Sequence, residues 1–187
     1  MGNTDRQDDF RPDESLPPGW YRVGPNDYRG SGFDRGHLTP SADRSRNKTD
    51  NSATFVMTNM MPQSPRNNRE TWRELEEYSR QLVKRGKELY IIAGSYGSRG
   101  KLADGKVTIP SRTWKIIVVL EKGSGVKGIN KNTRVIAVDM QNSDRISTNW
   151  KRYLVSVDKI EAATGYDFLS KVPKDVQDII EAGVDGK

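Results

Sequence analysis

At 187 residues and a net charge of +6, the chain is long enough to bury a core of its own and basic enough to suit a polyanionic partner. It has no cysteine, which excludes disulfides and thiolate metal sites, and no apolar stretch approaches the ~20 residues needed to cross a bilayer. A mean hydropathy of −0.82 is polar for a folded domain, so the core must come from a few dense apolar runs.

Residues 1 to 19 are polar and proline-rich, end in Ser15-Leu16-Pro17-Pro18-Gly19, and read as an extended arm. Trp20 to Val23 is expected to form a short strand, and Gly24 to Gly32 a loop. Asp34-Arg35-Gly36-His37 follows and holds the only histidine of the chain. Leu38 to Asn51 predicts a turn with a short helical piece. Ala53 to Thr58 has strand composition, and Pro62 and Pro65 are expected to stop it. Asn67 to Arg85 is the clearest helix, because Trp72, Leu75, Tyr78, Leu82 and Val83 recur at helical spacing. Asn67 or Asn68 can cap its start, and Gly86 suits the position after its end. Glu88 to Ala93, Thr113 to Leu120 and Thr133 to Met140 read as buried strands, with a shorter one at Lys106 to Ile109. Trp150 to Val157 is expected to be extended. Asp158 and Glu161 resemble a capping pair that opens a short helix ending at Gly165, and Pro173 opens a final helix through Ala182. The expectation is one α+β domain over residues 1–187, with a mixed or antiparallel β-sheet core packed beside one long helix.

The chemistry begins at His37. It is the side chain whose ordinary pKa lies near neutrality, and Gly36 beside it lets the backbone come close. On the long helix, steps of four from Asn68 reach Trp72, Glu76 and Arg80, so an oxygen donor, a carboxylate and an arginine share one ridge. Asn68 and Glu76 lie roughly 12 Å apart along the axis at ~1.5 Å per residue, too far for both to bind one ion directly. A single ligand from Asn68, with Glu76 oriented to the ion's waters, suits Mg²⁺. The bland reading is a charged helix face with a Glu76–Arg80 pair at i,i+4. A base, a Lewis acid and cations such as Arg6, Arg35 and Arg80 are together the requirements of phosphodiester hydrolysis.

Three separated segments carry a more specific signal. Asp34-Arg35-Gly36-His37, Asn59-Met60-Met61-Pro62-Gln63 and Asn68-x-x-x-Trp72-x-x-Leu75-Glu76 resemble the signature of the DNA/RNA non-specific endonucleases, nearest to a secreted cyanobacterial member. The resemblance runs from about Arg6 to the C-terminus. It implies a ββα-metal (His-Me) finger and a sugar-non-specific endonuclease that cuts single- or double-stranded DNA and RNA to 5′-phosphate oligonucleotides. It also implies a role for each matched position. His37 becomes the general base. Asn68 becomes the sole protein ligand of Mg²⁺, for which Mn²⁺ substitutes, and Glu76 acts through metal-bound water. Arg6 matches an arginine near the scissile phosphate. Arg35, Arg80 and Asn59 match positions that hold substrate or fix the site, and Asp34 is structural. A dedicated protein inhibitor is an implied partner, a membrane is not, and the implied place of action is outside the cell or in the periplasm. Members usually carry a further N-terminal segment with strands ahead of the match to Arg6, which predicts an open sheet edge and leaves the delivery of Arg6 in question. The competing reading is a nuclease fold that binds nucleic acid through its charge without cutting it.

Overall fold

Two apolar runs set the architecture. Arg112–Glu121 and Arg134–Gln141 form strands buried on both faces, so apolar side chains are needed at successive positions rather than alternate ones. A computed structural model of the chain describes residues 2–186. In chain order the elements are β1 (Asp34–His37), α1 (Lys48–Ala53), β2 (Met60–Gln63), α2 (Arg73–Lys84), β3 (Lys87–Tyr96), β4 (Lys101–Leu102), β5 (Val107–Thr108), β6 (Arg112–Glu121), β7 (Arg134–Gln141), β8 (Leu154–Val155), α3 (Val157–Thr164) and α4 (Lys174–Ile180), with short 3₁₀ turns between them. The main sheet is antiparallel in the order β3-β6-β7-β8, and β1-β2 and β4-β5 are separate two-stranded ladders. This is the α+β arrangement expected.

Alternation along β6 divides the core in two. Ile117 and Val119 face a cluster with Leu75, Leu82 and Trp72 from the long helix. Trp114, Ile116, Val118 and Leu120 face the other side, against Val157 and Ile160 of α3, Phe168, and Ile180 of α4. Strand β3 is an outer strand of the sheet, and Tyr90, Ile91 and Ile92 on it are more than a third exposed.

Several expectations need correction. Trp20 to Val23 pairs with nothing and is not a strand. Ala53 to Thr58 is the end of α1 followed by turns, and its one strand-like contact is a single bridge from Val56 to Arg11. The strand lies one step later and includes Pro62, which sits opposite Arg35. A two-stranded ladder tolerates proline because both its strands are edges and one missing N–H can face outward. Trp150 to Tyr153 is a 3₁₀ turn, and only Leu154–Val155 is extended. The cap of α3 is Ser156, whose hydroxyl accepts from the Lys159 amide, rather than Asp158. Val83 is 40% exposed and lies off the core face. The long helix begins as a π-helical turn, Asn67–Trp72, before continuing as α2. Such turns concentrate at functional sites.

Candidate active site

The finger is assembled by Gly36 and Gln63. Strand β1 pairs antiparallel with β2, setting Gly36 opposite Met61 and His37 opposite Met60. A Cβ on Gly36 would lie 2.1 Å from Gln63 Oε1 and 2.7 Å from its Cβ, so only glycine allows this approach. Gln63 is fully buried and donates to Asn67 Oδ1 at 2.9 Å. Asn67 in turn donates to Thr113 and to the Gln141 carbonyl. The first asparagine of the pair therefore anchors the helix start to the sheet.

The second asparagine is free to act. Asn68 Nδ2 donates to Asp34 Oδ2 at 2.9 Å, and Arg69 grips the same carboxylate with two bonds of 2.8 and 2.6 Å. Burial opposes ionisation of Asp34, but the hydrogen bonds from Arg69 and Asn68 outweigh it and hold the carboxyl below its usual range. Among the described residues no donor reaches Asn68 Oδ1. A carboxamide oxygen fixed through its own NH₂ and left open is a hard ligand of the kind Mg²⁺, Mn²⁺ or Ca²⁺ accepts.

His37 closes β1 and is 9% exposed. Phe55 and Phe10 stand edge-on to its ring, with centroids 5.1 and 5.8 Å away. The Arg6 guanidinium lies over Phe55 at 4.9 Å and that of Arg35 over Phe10 at 3.9 Å. Neither ring nitrogen of His37 has a hydrogen-bond partner among the described residues, and of the two only Nε2 is sealed from solvent. Burial first, then the positive charge of Arg6, pushes its pKa down to about 4. The chain thus holds its one imidazole neutral, against a wall of cations.

The N-terminal arm delivers Arg6. The Thr4 amide donates to the Ser45 carbonyl, the Gln7 amide to Asn51 Oδ1, and Arg11 exchanges two backbone bonds with Phe55 and Met57. Arg6 itself donates to Ser41 Oγ at 3.1 Å and pairs with Asp8 at 2.6 Å. Arg6, Arg35, Asn68, Arg69, Asp34 and Phe10 line one open cleft of about 510 Å³.

Glu76 and Arg80 do not line that cleft. They belong to a buried network behind the loop that follows His37. The Glu76–Arg80 pair of the bland reading is not formed. Arg80 bonds Asp43 Oδ1 at 3.2 Å, and Glu76 meets the ammonium of Lys115 at 3.4 Å. Lys115 comes from β6, is 2% exposed, and sits 4.3 Å from the Trp72 ring. Burial pushes Glu76 up and Lys115 down, each toward its neutral form, and each resists this shift in the other by charge. Asn59, expected beside the substrate, has its carboxamide committed to backbone. It accepts from the Thr39 amide and donates to the Thr39 and Thr54 carbonyls, while its own carbonyl holds the Leu38 amide. It fixes the loop leaving His37.

The model of the family described as DNA/RNA non-specific endonuclease matches residues 1–175. The chain belongs to this family. Its members are metal-dependent enzymes that hydrolyse nucleic acid. A nuclease of the cyanobacterium Nostoc sp. (strain PCC 7120) is 59% identical over 186 residues, covering 99% of this chain and 68% of the relative. The mitochondrial endonuclease G of Homo sapiens is 30% identical, covering 91% of this chain and 60% of the relative. The crystal structure of an EndoG/EndoGI complex, a study of EndoG inhibition, superposes with a TM-score of 0.76 at 25% identity, covering 93% of this chain and 74% of that one. Sequence reasoning missed three residues packed around this candidate site. Phe10 and Phe55 seemed ordinary apolar residues of an arm and a strand. Lys115 was hidden in an apolar run, although a lysine between Trp114 and Ile116 in a doubly buried strand is itself a signal.

Proposed function

We propose that the chain, acting over residues 1–187 as one nuclease domain, hydrolyses phosphodiester bonds of single- and double-stranded DNA and RNA without regard to sequence or sugar, giving 5′-phosphate ends. The observation that carries this reading is a cleft walled by the guanidinium groups of Arg6, Arg35 and Arg69 with Asn68 and its open oxygen on it, behind whose Phe10 wall stands the neutral imidazole of His37. Arg6 and Arg35 hold phosphate oxygens, and contacts to phosphate carry no base information. His37 is unprotonated throughout the neutral range and accepts the proton of the attacking water. An incoming phosphate offsets the field of Arg6 and Arg35 and so raises the basicity of His37 as the substrate seats. Asn68 is the proposed protein ligand of Mg²⁺, with Mn²⁺ able to substitute. The ion supplies charge stabilisation at the phosphate and the leaving oxygen when bound. Glu76, braced by Lys115 in the buried network beyond that cleft, would orient the ion's waters, and Arg80 holds Asp43 in the same network. Action outside the cell or in the periplasm is proposed from the family resemblance alone, and the inhibitor complex of the superposed EndoG supports control by a protein inhibitor.

The test is to incubate plasmid DNA and a structured RNA with the protein in Mg²⁺, in EDTA, and as the His37→Ala variant. Both substrates are degraded in Mg²⁺ and spared in EDTA, and the variant loses about 10²–10⁴ in rate, the usual worth of a general base. Salt-sensitive retardation of nucleic acid with no product would instead establish the binding-only reading.

A further inference from the structure

The far side of the sheet holds a crowded set of carboxylates that plays no part in the proposed cleavage. Asp158 and Glu161 lie in the first two turns of α3, and Glu181 caps the end of α4. The Asp158 amide donates to the Glu181 carbonyl at 3.2 Å, joining the start of one helix to the end of the other. One oxygen from each of the three carboxylates lies within 4.8 Å of the other two. They differ in exposure. Asp158 is open to solvent, Glu161 is half-buried, and Glu181 is 4% exposed. Glu161 Oε1 accepts from the Phe168 amide at 2.6 Å and is oriented by it. Glu181 Oε1 is sealed from solvent with no donor among the described residues. The cleft above, about 580 Å³, is lined further by Asp167 and Asp178. Its one basic lining residue, Lys174, gives its ammonium to Asp178.

A buried carboxylate with one oxygen lacking a donor, crowded against two more carboxylates, is an arrangement that a proton or a cation must settle. We propose that Asp158, Glu161 and Glu181 form a Ca²⁺ site that staples α3 to the end of α4, separate from the ion at Asn68 and on the opposite face of the sheet. Ca²⁺ takes ~6–8 oxygens at ~2.3–2.6 Å, so two oxygens across one ion stand up to ~5 Å apart and three spread evenly round it ~4–4.5 Å apart, and carboxylates already within 4.8 Å of one another close on it by small side-chain rotations. Mg²⁺ at ~2.0–2.1 Å needs them within ~4.2 Å and in octahedral order. The glutamates offer two oxygens each, and the open side of the cleft admits the remaining waters. The site does not depend on the proposed nuclease mechanism.

Calorimetry and thermal unfolding of the full chain carrying Asn68→Ala, which removes the proposed catalytic-side ligand, test this directly. Against EDTA, Ca²⁺ at about a hundredfold above its Kd should raise Tm by roughly 5–10 °C, with one ion bound per chain and a smaller rise from Mg²⁺. Adding Glu181→Gln should abolish both the rise and the heat of binding. In EDTA that same variant should be at least as stable as its parent, because it removes a like charge from the cluster. Asp158→Asn, at an exposed position, should weaken Ca²⁺ binding without a folding cost. A parent that ignores Ca²⁺, or a Glu181→Gln variant that responds as the parent does, overturns the site.

Discussion

Lys115 and Ile116 are neighbours on β6, both sealed from solvent, and they face different chemistry. Lys115 turns toward Trp72, Glu76 and the finger. Ile116 turns toward Val157, Ile160 and Ile180. The sheet is therefore a partition. One face supports a layer of buried charge that the active site leans on, and the other is closed by two short helices on apolar contacts. The faces also resolve their buried ionisable groups in opposite directions. His37 is pushed down to about 4 by burial and Arg6, and Glu181 is pushed up to about 7 by burial and Glu161. Both shifts run toward the neutral form, as desolvation requires. Burial without a full set of partners is tolerated on each face where a ligand is proposed to complete it.

The largest expected difference is between substitutions at these two neighbours. Lys115→Met keeps the volume but strands Glu76 and should cost about 3–5 kcal/mol. Ile116→Val removes one methylene and should cost about 0.5–1.5 kcal/mol. Adding Glu76→Gln to Lys115→Met should recover most of the stability while leaving activity low, because the buried charge is gone but so is the carboxylate proposed to orient water. Urea unfolding of the four proteins measures this. Equal costs for the two single variants would mean that the charged layer is no different energetically from the apolar one.

A second difference is in pH. The folded state holds His37 at about 4, against ~6.5 in an unfolded chain. Between these values the unfolded state binds the extra proton, so stability rises with pH across this window and is lost as pH falls through it. The contribution is about 3 kcal/mol, fully present above ~6.5 and gone below about 4. The measurement is the difference in unfolding free energy between wild type and His37→Gln at several pH values in EDTA, which cancels the carboxylates common to both. A difference that does not change from pH 7 to pH 4 would show that the imidazole is not held neutral.

Which parts of this could be read from the chain follows from range. The helix from Asn67 and the strands β6 and β7 were legible because their signals are local, a 3.6-residue apolar period or a doubly buried apolar run. The finger motifs were legible because Gly36, His37 and Asn68 must each be that residue type for a local reason. The partners of Glu76 and Arg80 were not. The i,i+4 rule offered each to the other, but tertiary packing brought Lys115 from β6 and Asp43 from a 3₁₀ turn, and a buried carboxylate takes the cation that packing supplies. The strand at Met60–Gln63 was misplaced because Pro62 was read as a stop, a rule that holds for central strands and fails in a two-stranded ladder. Asn68 was singled out from the chain alone, but the anchoring role of Asn67 was not, because its partners Gln63, Thr113 and the Gln141 carbonyl come from other elements.

The smallest effect sharpens the comparison most finely, because it sets two phenylalanines against each other. Phe168 closes the apolar face, packed on Trp114 at 5.1 Å and Tyr166 at 5.7 Å. Phe10 has one face under the Arg35 guanidinium and an edge toward His37. Phe10→Leu keeps most of the apolar contact and removes a cation–π interaction worth about 0.5–2 kcal/mol. With its platform gone, Arg35 is free to leave the phosphate-facing position. KM for plasmid should rise roughly two- to thirtyfold, in line with that energy, while kcat changes less because His37 still has Phe55 beside it. Phe168→Leu should instead lower stability by about 1 kcal/mol through imperfect repacking and leave KM unchanged. If Phe10→Leu lowers stability alone, in the manner of Phe168→Leu, then Phe10 is ordinary packing and the arm serves the site only through Arg6.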